Sequence, residues 1–213
     1  CVIQYDDREL PENLQHLQKL NESYCKKHNI DYHFSNVNSN KAPPYWVKVF
    51  ISESMLPKYD YVIWLDTDAT LINIENLEEF ITQYIDTKDV LISSDMPPWD
   101  EGKFNAGVFI FKNTTVGNEI LKYWLSLYDA KSWKLIDGKW NCIIKDDCNW
   151  AGINYEQGSF INKVYPKYKD NISLVSWEIL NNPYYDKDAS AIFHFAGHHK
   201  ENILDMNIGE TNQ

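Results

Sequence analysis

The chain reads as an α/β protein: a single domain built on a mixed, mainly parallel central sheet with helices on both faces. Three observations predict this. Strand- and helix-patterned stretches alternate as β-α-β-α-β over the first third, the signature of a parallel sheet with crossover helices. The 213 residues are 44% hydrophobic and 15% aromatic, enough to bury a substantial core in one domain and unlike a disordered chain. Finally, Tyr61-Val62-Ile63-Trp64-Leu65 is apolar without interruption, as a core strand requires.

The elements follow in order. Residues 1–5 read as a first strand, followed by the polar loop Asp6-Asp7-Arg8. Residues 10–28 have helical spacing, with Leu14, Leu17, Leu20 and Tyr24 on one stripe. A second strand covers 30–34. Pro43-Pro44 stops any earlier element and favours a helix start, so 45–55 reads as a helix. After the Tyr61–Leu65 strand come a helix over 74–85 and a strand over Val90–Ser94. Residues 96–103, with Pro97-Pro98, Trp99 and Gly102, read as a loop. Then come a strand over 104–111 and an amphipathic helix over 115–128. Residues 130–150, polar, aromatic and irregular, suit a lid or acceptor-side loop. A short helix over 156–163 and strands over Ile172–Val175 and 191–195 complete the series. The tail beyond about residue 200 reads as polar and peripheral.

Chemistry concentrates where the apolar strand stops. Residues i and i+2 of a strand point the same way, so Asp66 and Asp68, just past its end, converge. Two such carboxylates repel unless a cation lies between them. Hard oxygen donors suit Mg²⁺ or Mn²⁺, and an ion held this way commonly bridges to substrate phosphates. The carboxyl end of a strand is also where open α/β sheets bind ligands. With 31 acidic residues an Asp-x-Asp arises readily by chance, usually as a solvated turn. The buried strand in front of it singles this one out.

A net charge of −11 argues against nucleic acid and against docking on anionic lipid. A nucleotide ligand stays compatible if a metal and local cations offset its phosphates. There is no run of 18 apolar residues and hence no membrane span, and no signal peptide is visible. The chain begins at Cys1 without an initiator Met, which suggests trimming and leaves an upstream anchor open. Cys1, Cys25, Cys142 and Cys148 form no metal-binding pattern. Cys142 and Cys148 are spaced for a loop disulfide, but free thiols in a reducing compartment are the preferred reading.

Five features stand in order: Trp46-Val47-Lys48, Asp66-Thr67-Asp68, Asn105-Ala106-Gly107, Glu156-Gln157, and His194-Phe195-Ala196-Gly197-His198-His199-Lys200. Together they resemble a retaining glycosyltransferase of the GT-A (Rossmann-like) type. The likeness is nearest to glycosyltransferase family 34, the plant xyloglucan xylosyltransferases and fungal galactosyl- and mannosyltransferases, and more distant to family 8. Tyr24-Cys25-Lys26-Lys27-His28, followed by Ile30-Asp31-Tyr32, resembles the family's segment before its second strand. The resemblance runs from about residue 1 to residue 200, and each motif alone is unspecific.

The resemblance implies a site. Asp66, Asp68 and His194 are the expected metal ligands, for Mn²⁺ or Mg²⁺. Gly197 would let backbone approach the phosphates, and Lys200, or His199 in the alternative place, would touch the diphosphate. Asn105, Ala106 and Gly107 are expected to line the donor-sugar pocket, and Asp95 to grip a donor hydroxyl. Glu156-Gln157 matches an Asp-Gln pair whose second member lies near the anomeric carbon, with Glu here in place of Asp. A Gln is a poor nucleophile, so front-face attack with Gln157 stabilising charge at the sugar is favoured over double displacement. Lys48 would balance the carboxylates or contact the donor; the plainer reading puts Trp46 in the core and Lys48 on the surface. By fold position, Tyr5 and Asp7 would hold the nucleotide base.

The expected activity is therefore transfer of a hexose or pentose from a nucleotide sugar, UDP favoured and GDP open, to a hydroxyl of a glycan or glycoprotein. The rivals are an inactive carbohydrate- or nucleotide-sugar-binding domain and a nucleotide-sugar hydrolase. A cytoplasmic, even viral, enzyme is the expected setting, with a Golgi domain cut from its anchor as the alternative.

Overall fold

The computed structural model describes residues 1–37, 39, 41–98, 104–144 and 150–205. Trp99 and Gly102 of the expected loop, Cys148, and the tail beyond residue 205 lie outside the described residues.

Six strands form the central sheet, in the order β2-β1-β3-β6-β5-β9. They are β1 (Val2–Tyr5), β2 (Tyr32–Ser35), β3 (Tyr61–Leu65), β5 (Val90–Ser94), β6 (Phe104–Lys112) and β9 (Ile172–Val175). The β1/β2, β1/β3 and β5/β9 pairs are parallel, and β6 runs antiparallel to both its neighbours. The sheet is thus mixed and mainly parallel, with β6 the reversed strand.

Strand alternation divides the core into two layers. Val62, Trp64, Phe109 and Phe111 face one side, packing with Trp46, Trp124 and Phe160. Ile63, Leu65, Val108 and Ile110 face the other, with Phe80, Ile81 and Cys25. Helices α2 (Pro44–Met55) and α4 (Thr115–Ser126) cover the first side, while α1 (Glu12–Lys27) and α3 (Leu77–Ile85) contribute to the second. Local chemistry sets their starts. Pro44 occupies the first turn of α2. Asn76 caps α3 by accepting from the Glu78 and Glu79 backbone N–H groups, and Thr114 caps α4 by accepting from that of Gly117.

Four elements depart from the sequence expectation. A strand β4 (Ala69–Ile72) follows the Asp66–Asp68 turn directly and pairs antiparallel with β10 (Ala191–His194), outside the main sheet. The irregular 130–150 stretch contains a hairpin, β7 (Trp133–Ile136) with β8 (Lys139–Cys142). Asp137 and Gly138 both take positive φ at its turn, as a two-residue hairpin loop requires. The expected 156–163 helix runs on as α5 (Glu156–Ser159), a π turn over Phe160–Val164 and α6 (Tyr165–Tyr168). A further short helix, α7 (Trp177–Leu180), precedes β10.

Beyond β10 the chain continues as 3₁₀ turns over Gly197–Asp205. Ile203 returns to the interior beside Leu10, Leu14, Leu17, Phe193 and Phe195, so this part of the tail is anchored. No helix among the described residues is long and apolar enough to cross a membrane.

Candidate active site

The topology gathers the chemistry at one sheet edge. Parallel β1 and β3 end there, in Asp6-Asp7-Arg8 and Asp66-Thr67-Asp68. Antiparallel β6 begins there, with Asn105-Ala106-Gly107, and β5 ends there beside Asp95. The ribbon register places His194 opposite Ala69, immediately after the acidic turn. Asp66, Asp68 and His194 can each offer a ligand atom within 4.8 Å of the others.

Each member is fixed by neighbours. Asp66 donates its backbone N–H to the Gly107 carbonyl (2.7 Å), and its Oδ1 accepts from Lys48 Nζ (2.8 Å) and Trp64 Nε1 (2.7 Å). Asp68 is buried, with Oδ1 3.3 Å from His194 Nε2 and Oδ2 3.0 Å from Lys200 Nζ. Burial works against the Asp68 charge, but His194 and Lys200 outweigh it and hold the carboxyl far below the usual range. His194 shows the converse: burial pulls it down, and Asp68 more than reverses that, leaving the imidazole above its ordinary value.

The far side of the imidazole is equally defined. Asn181, at the end of α7, sets its Oδ1 2.5 Å from His194 Nδ1 and donates through Nδ2 to Asp95 Oδ1 at 3.4 Å. Because a carboxylate only accepts, the Asn181 amide orientation follows, and His194 Nδ1–H is the donor. That leaves Nε2 facing the carboxylates, the arrangement a metal-binding histidine uses. Gly107 supplies the space: a Cβ there would lie 2.1 Å from His194 Cε1 and 2.6 Å from Nε2. The missing side chain is filled by the imidazole.

Beneath the acidic turn lies a buried polar network. Gln4 Nε2 donates to the Asp66 carbonyl (3.0 Å), and its Oε1 accepts from Asn21 Nδ2 (3.2 Å) and the Tyr32 hydroxyl (2.7 Å). Asn21 also donates to the Ala69 carbonyl and accepts from Thr70 Oγ1 and the Leu71 N–H. The turn therefore rests on interior hydrogen bonds.

Lys48 is buried, not on the surface. Its Nζ meets Asp66 Oδ1, the Ala106 carbonyl (3.1 Å) and Glu156 Oε1 (3.4 Å). Burial opposes its charge, but Asp66 and Glu156 prevail and raise its pKa. Glu156 is pushed up, chiefly by burial, with Lys48 opposing. Trp46 lies in the core and donates Nε1 to the Asn154 carbonyl. Gln157 Oε1 accepts the Ala106 N–H at 2.8 Å, which brings the pair at 156–157 against the start of β6 and commits one lone pair of that carbonyl.

The remaining expected residues divide. Asn105 donates to Asp95 Oδ1 (3.3 Å) and accepts the Gly107 N–H (2.8 Å); burial pushes the Asp95 carboxyl up. Gly197 has φ +61°, a conformation that favours glycine. Lys200 reaches Asp68, whereas the His199 ring packs edge-on against Tyr184. Tyr5 is buried at the end of β1, and Asp7 is half-buried beside it. Asn181, Gln4, Asn21 and the Asp6–Arg8 pair escaped the sequence reading. Of these only Asp6 and Arg8 lay in a loop already singled out.

The fold is the GT-A glycosyltransferase fold. The comparisons with known proteins lie in the same class. Residues 3–93, from β1 into β5, match the sequence model of the galactosyl transferase GMA12/MNN10 family. Among solved structures, a glycosyltransferase involved in glycosylation of the major capsid of PBCV-1 superposes with a TM-score of 0.68 at 17% identity, covering 96% of this chain and 97% of that one. Mouse xyloside xylosyltransferase 1 gives a TM-score of 0.52 at 12% identity, over 93% and 98% of the two chains. An active-site glutamine-to-glutamate mutant of LgtC gives 0.51 at 13%, over 92% and 87%. No curated protein sequence matches the chain.

Proposed function

We propose that the protein is a metal-dependent, retaining glycosyltransferase. It would move a hexose or pentose from a nucleotide sugar, UDP-linked in preference to GDP-linked, to a hydroxyl of a glycan. The observation that carries this reading is the cluster of Asp66, Asp68 and His194 at the ligand-binding edge of the sheet. Two hard carboxylates with one imidazole, its Nδ1–H committed to Asn181, suit Mn²⁺ or Mg²⁺. When bound, such an ion supplies positive charge against the donor diphosphate and the charge that builds on it as it leaves.

The chain's own residues do the rest. Lys200, salt-bridged to Asp68, is a cation available to the diphosphate once the carboxylate has another partner. Lys48 holds Asp66 and Glu156 at fixed positions and shares its single positive charge between them. Asn105 and Asp95, already hydrogen-bonded to each other, offer donors and acceptors to the sugar hydroxyls, and Ala106 keeps that wall thin, while Gly107 makes room for the His194 ring behind it. Tyr5 and Asp7 stand at the end of β1 for the base. Glu156, buried and paired with Lys48, is poorly disposed as a nucleophile, which supports front-face attack over double displacement. Gln157, with one carbonyl lone pair on Ala106, keeps the other for the developing charge at the sugar.

The test is incubation with Mn²⁺ and a panel of UDP- and GDP-sugars, following slow donor cleavage by NMR. Cleavage of one donor, abolished by EDTA and by Asp68→Ala and accelerated by a sugar acceptor, is the expected result. Initial release of the α-anomer from an α-donor would support retention. A covalent sugar adduct on Glu156, seen by mass spectrometry, would overturn the front-face mechanism. Absence of both cleavage and nucleotide binding would overturn the transferase reading.

A further inference from the structure

Arg8 plays no part in the site described so far, yet it stands at its rim and is unusually well held. Its Nε meets Asp6 Oδ1 and its Nη2 meets Asp6 Oδ2, each at 2.7 Å, while its backbone N–H also donates to Oδ1 at 3.0 Å. The Asp6 side chain is only 4% exposed, whereas that of Arg8 is 67% exposed. Asp6 Oδ2 also accepts the Thr67 hydroxyl at 2.9 Å. Thr67 sits between Asp66 and Asp68, so one buried carboxylate ties the guanidinium to the acidic turn.

This arrangement exceeds what charge balance needs. Neutralising Asp6 requires one cation, and a lysine point charge would serve. The planar fork instead spends its Nε/Nη2 edge on Asp6 and leaves Nη1 and the outer Nη2–H directed away. That second edge has the geometry that grips phosphate with two hydrogen bonds. Two further cations serve the acidic turn. Lys48 is buried among Asp66, Glu156 and the Ala106 carbonyl, and Lys200 is paired with Asp68.

We propose that Arg8, locked by Asp6, is a phosphate-binding residue of the donor site, gripping a phosphoryl oxygen of the nucleoside diphosphate through its outer edge. This rests on the transferase reading above. The test is isothermal titration of the Mn²⁺-supplemented full chain with UDP and GDP, each beside its nucleoside, for wild type, Arg8→Lys and Arg8→Gln. Arg8→Lys keeps a cation on Asp6 and removes the second edge. Expected in both variants is a loss of about tenfold or more in affinity for the favoured diphosphate with nucleoside affinity within about twofold of wild type; the melting temperature stays unchanged in Arg8→Lys and falls in Arg8→Gln, which leaves buried Asp6 without a cation. Equal losses for diphosphate and nucleoside, or no loss in either variant, would overturn the proposal and leave the transferase reading standing. A wild type that binds neither diphosphate would overturn both.

Discussion

Replacing Gly107 with alanine perturbs the candidate metal site through a single methyl group. Gly107 lies within β6 at an ordinary backbone angle, so alanine meets no conformational barrier there. The cost falls wholly on contact. The added Cβ would lie 2.1 Å from His194 Cε1, 2.6 Å from Nε2 and 2.8 Å from Nδ1, where ordinary contact begins near 3.4 Å. The ring must therefore retreat by about 1 Å or more, and it is pinned by Asn181 on one side and Asp68 on the other. Overpacking of this kind costs about 1–3 kcal/mol. For a domain of this size that lowers Tm by about 2–12 °C. Metal–ligand distances tolerate only about 0.2 Å, so Mn²⁺ affinity should fall further, by about 100-fold or more. Mn²⁺ titration followed by EPR, with calorimetric melting of the same samples, reads both effects. Mn²⁺ affinity within twofold of wild type would refute the reasoning, because His194 could then not be both pinned and a ligand.

Three further outcomes follow from the same geometry. Asn181→Leu removes the acceptor for His194 Nδ1–H while keeping the side chain's branching and number of heavy atoms, and Mn²⁺ affinity should fall about 10–100-fold; unchanged affinity in the same EPR titration would remove Asn181 from the site. Lys48→Met strips the partner from buried Glu156 and from Asp66 and should destabilise the fold by about 3–5 kcal/mol in urea unfolding. Burial alone would raise the Asp6 carboxyl, but Arg8 and Thr67 outweigh it and its folded pKa lies below the ordinary 3.8. Its contribution is therefore present above the unfolded value and lost as pH falls through the folded one. Asp6→Asn should accordingly flatten the decline in stability below about pH 4, seen in urea midpoints across an acid series.

Much of this architecture was legible because it obeys simple periodicities. The run Tyr61–Leu65 announces a core strand, and its stop at Asp66 marks a sheet edge. What stayed hidden has identifiable causes. β4 is four residues long and leans on β10 from the far end of the sequence, a pairing no local pattern encodes. The β7–β8 hairpin did leave a signal, Asp137-Gly138 between two strand-like runs, outweighed by the polar, aromatic character of its surroundings. Lys48 stood evenly between balancing the carboxylates and lying on the surface, because sequence cannot reveal that Asp66 and Glu156 both wait for it in the interior. Asn181 left no sign: its role comes entirely from the three-dimensional meeting of α7, β5 and β10. Gly107 was read as room for a sugar, but the room is taken by an imidazole.

The β4–β10 ribbon has a consequence for how the protein comes into being. Asp66 and Asp68 leave the ribosome well before His194 and the Lys200 that touches Asp68, which follow far downstream in the chain. Until that late strand docks, the nascent chain holds two of the three clustered side chains, Asp66 and Asp68, without His194. A chain truncated before β10 would therefore lack the His194 and Lys200 contacts to Asp68 and leave β4 without its partner strand.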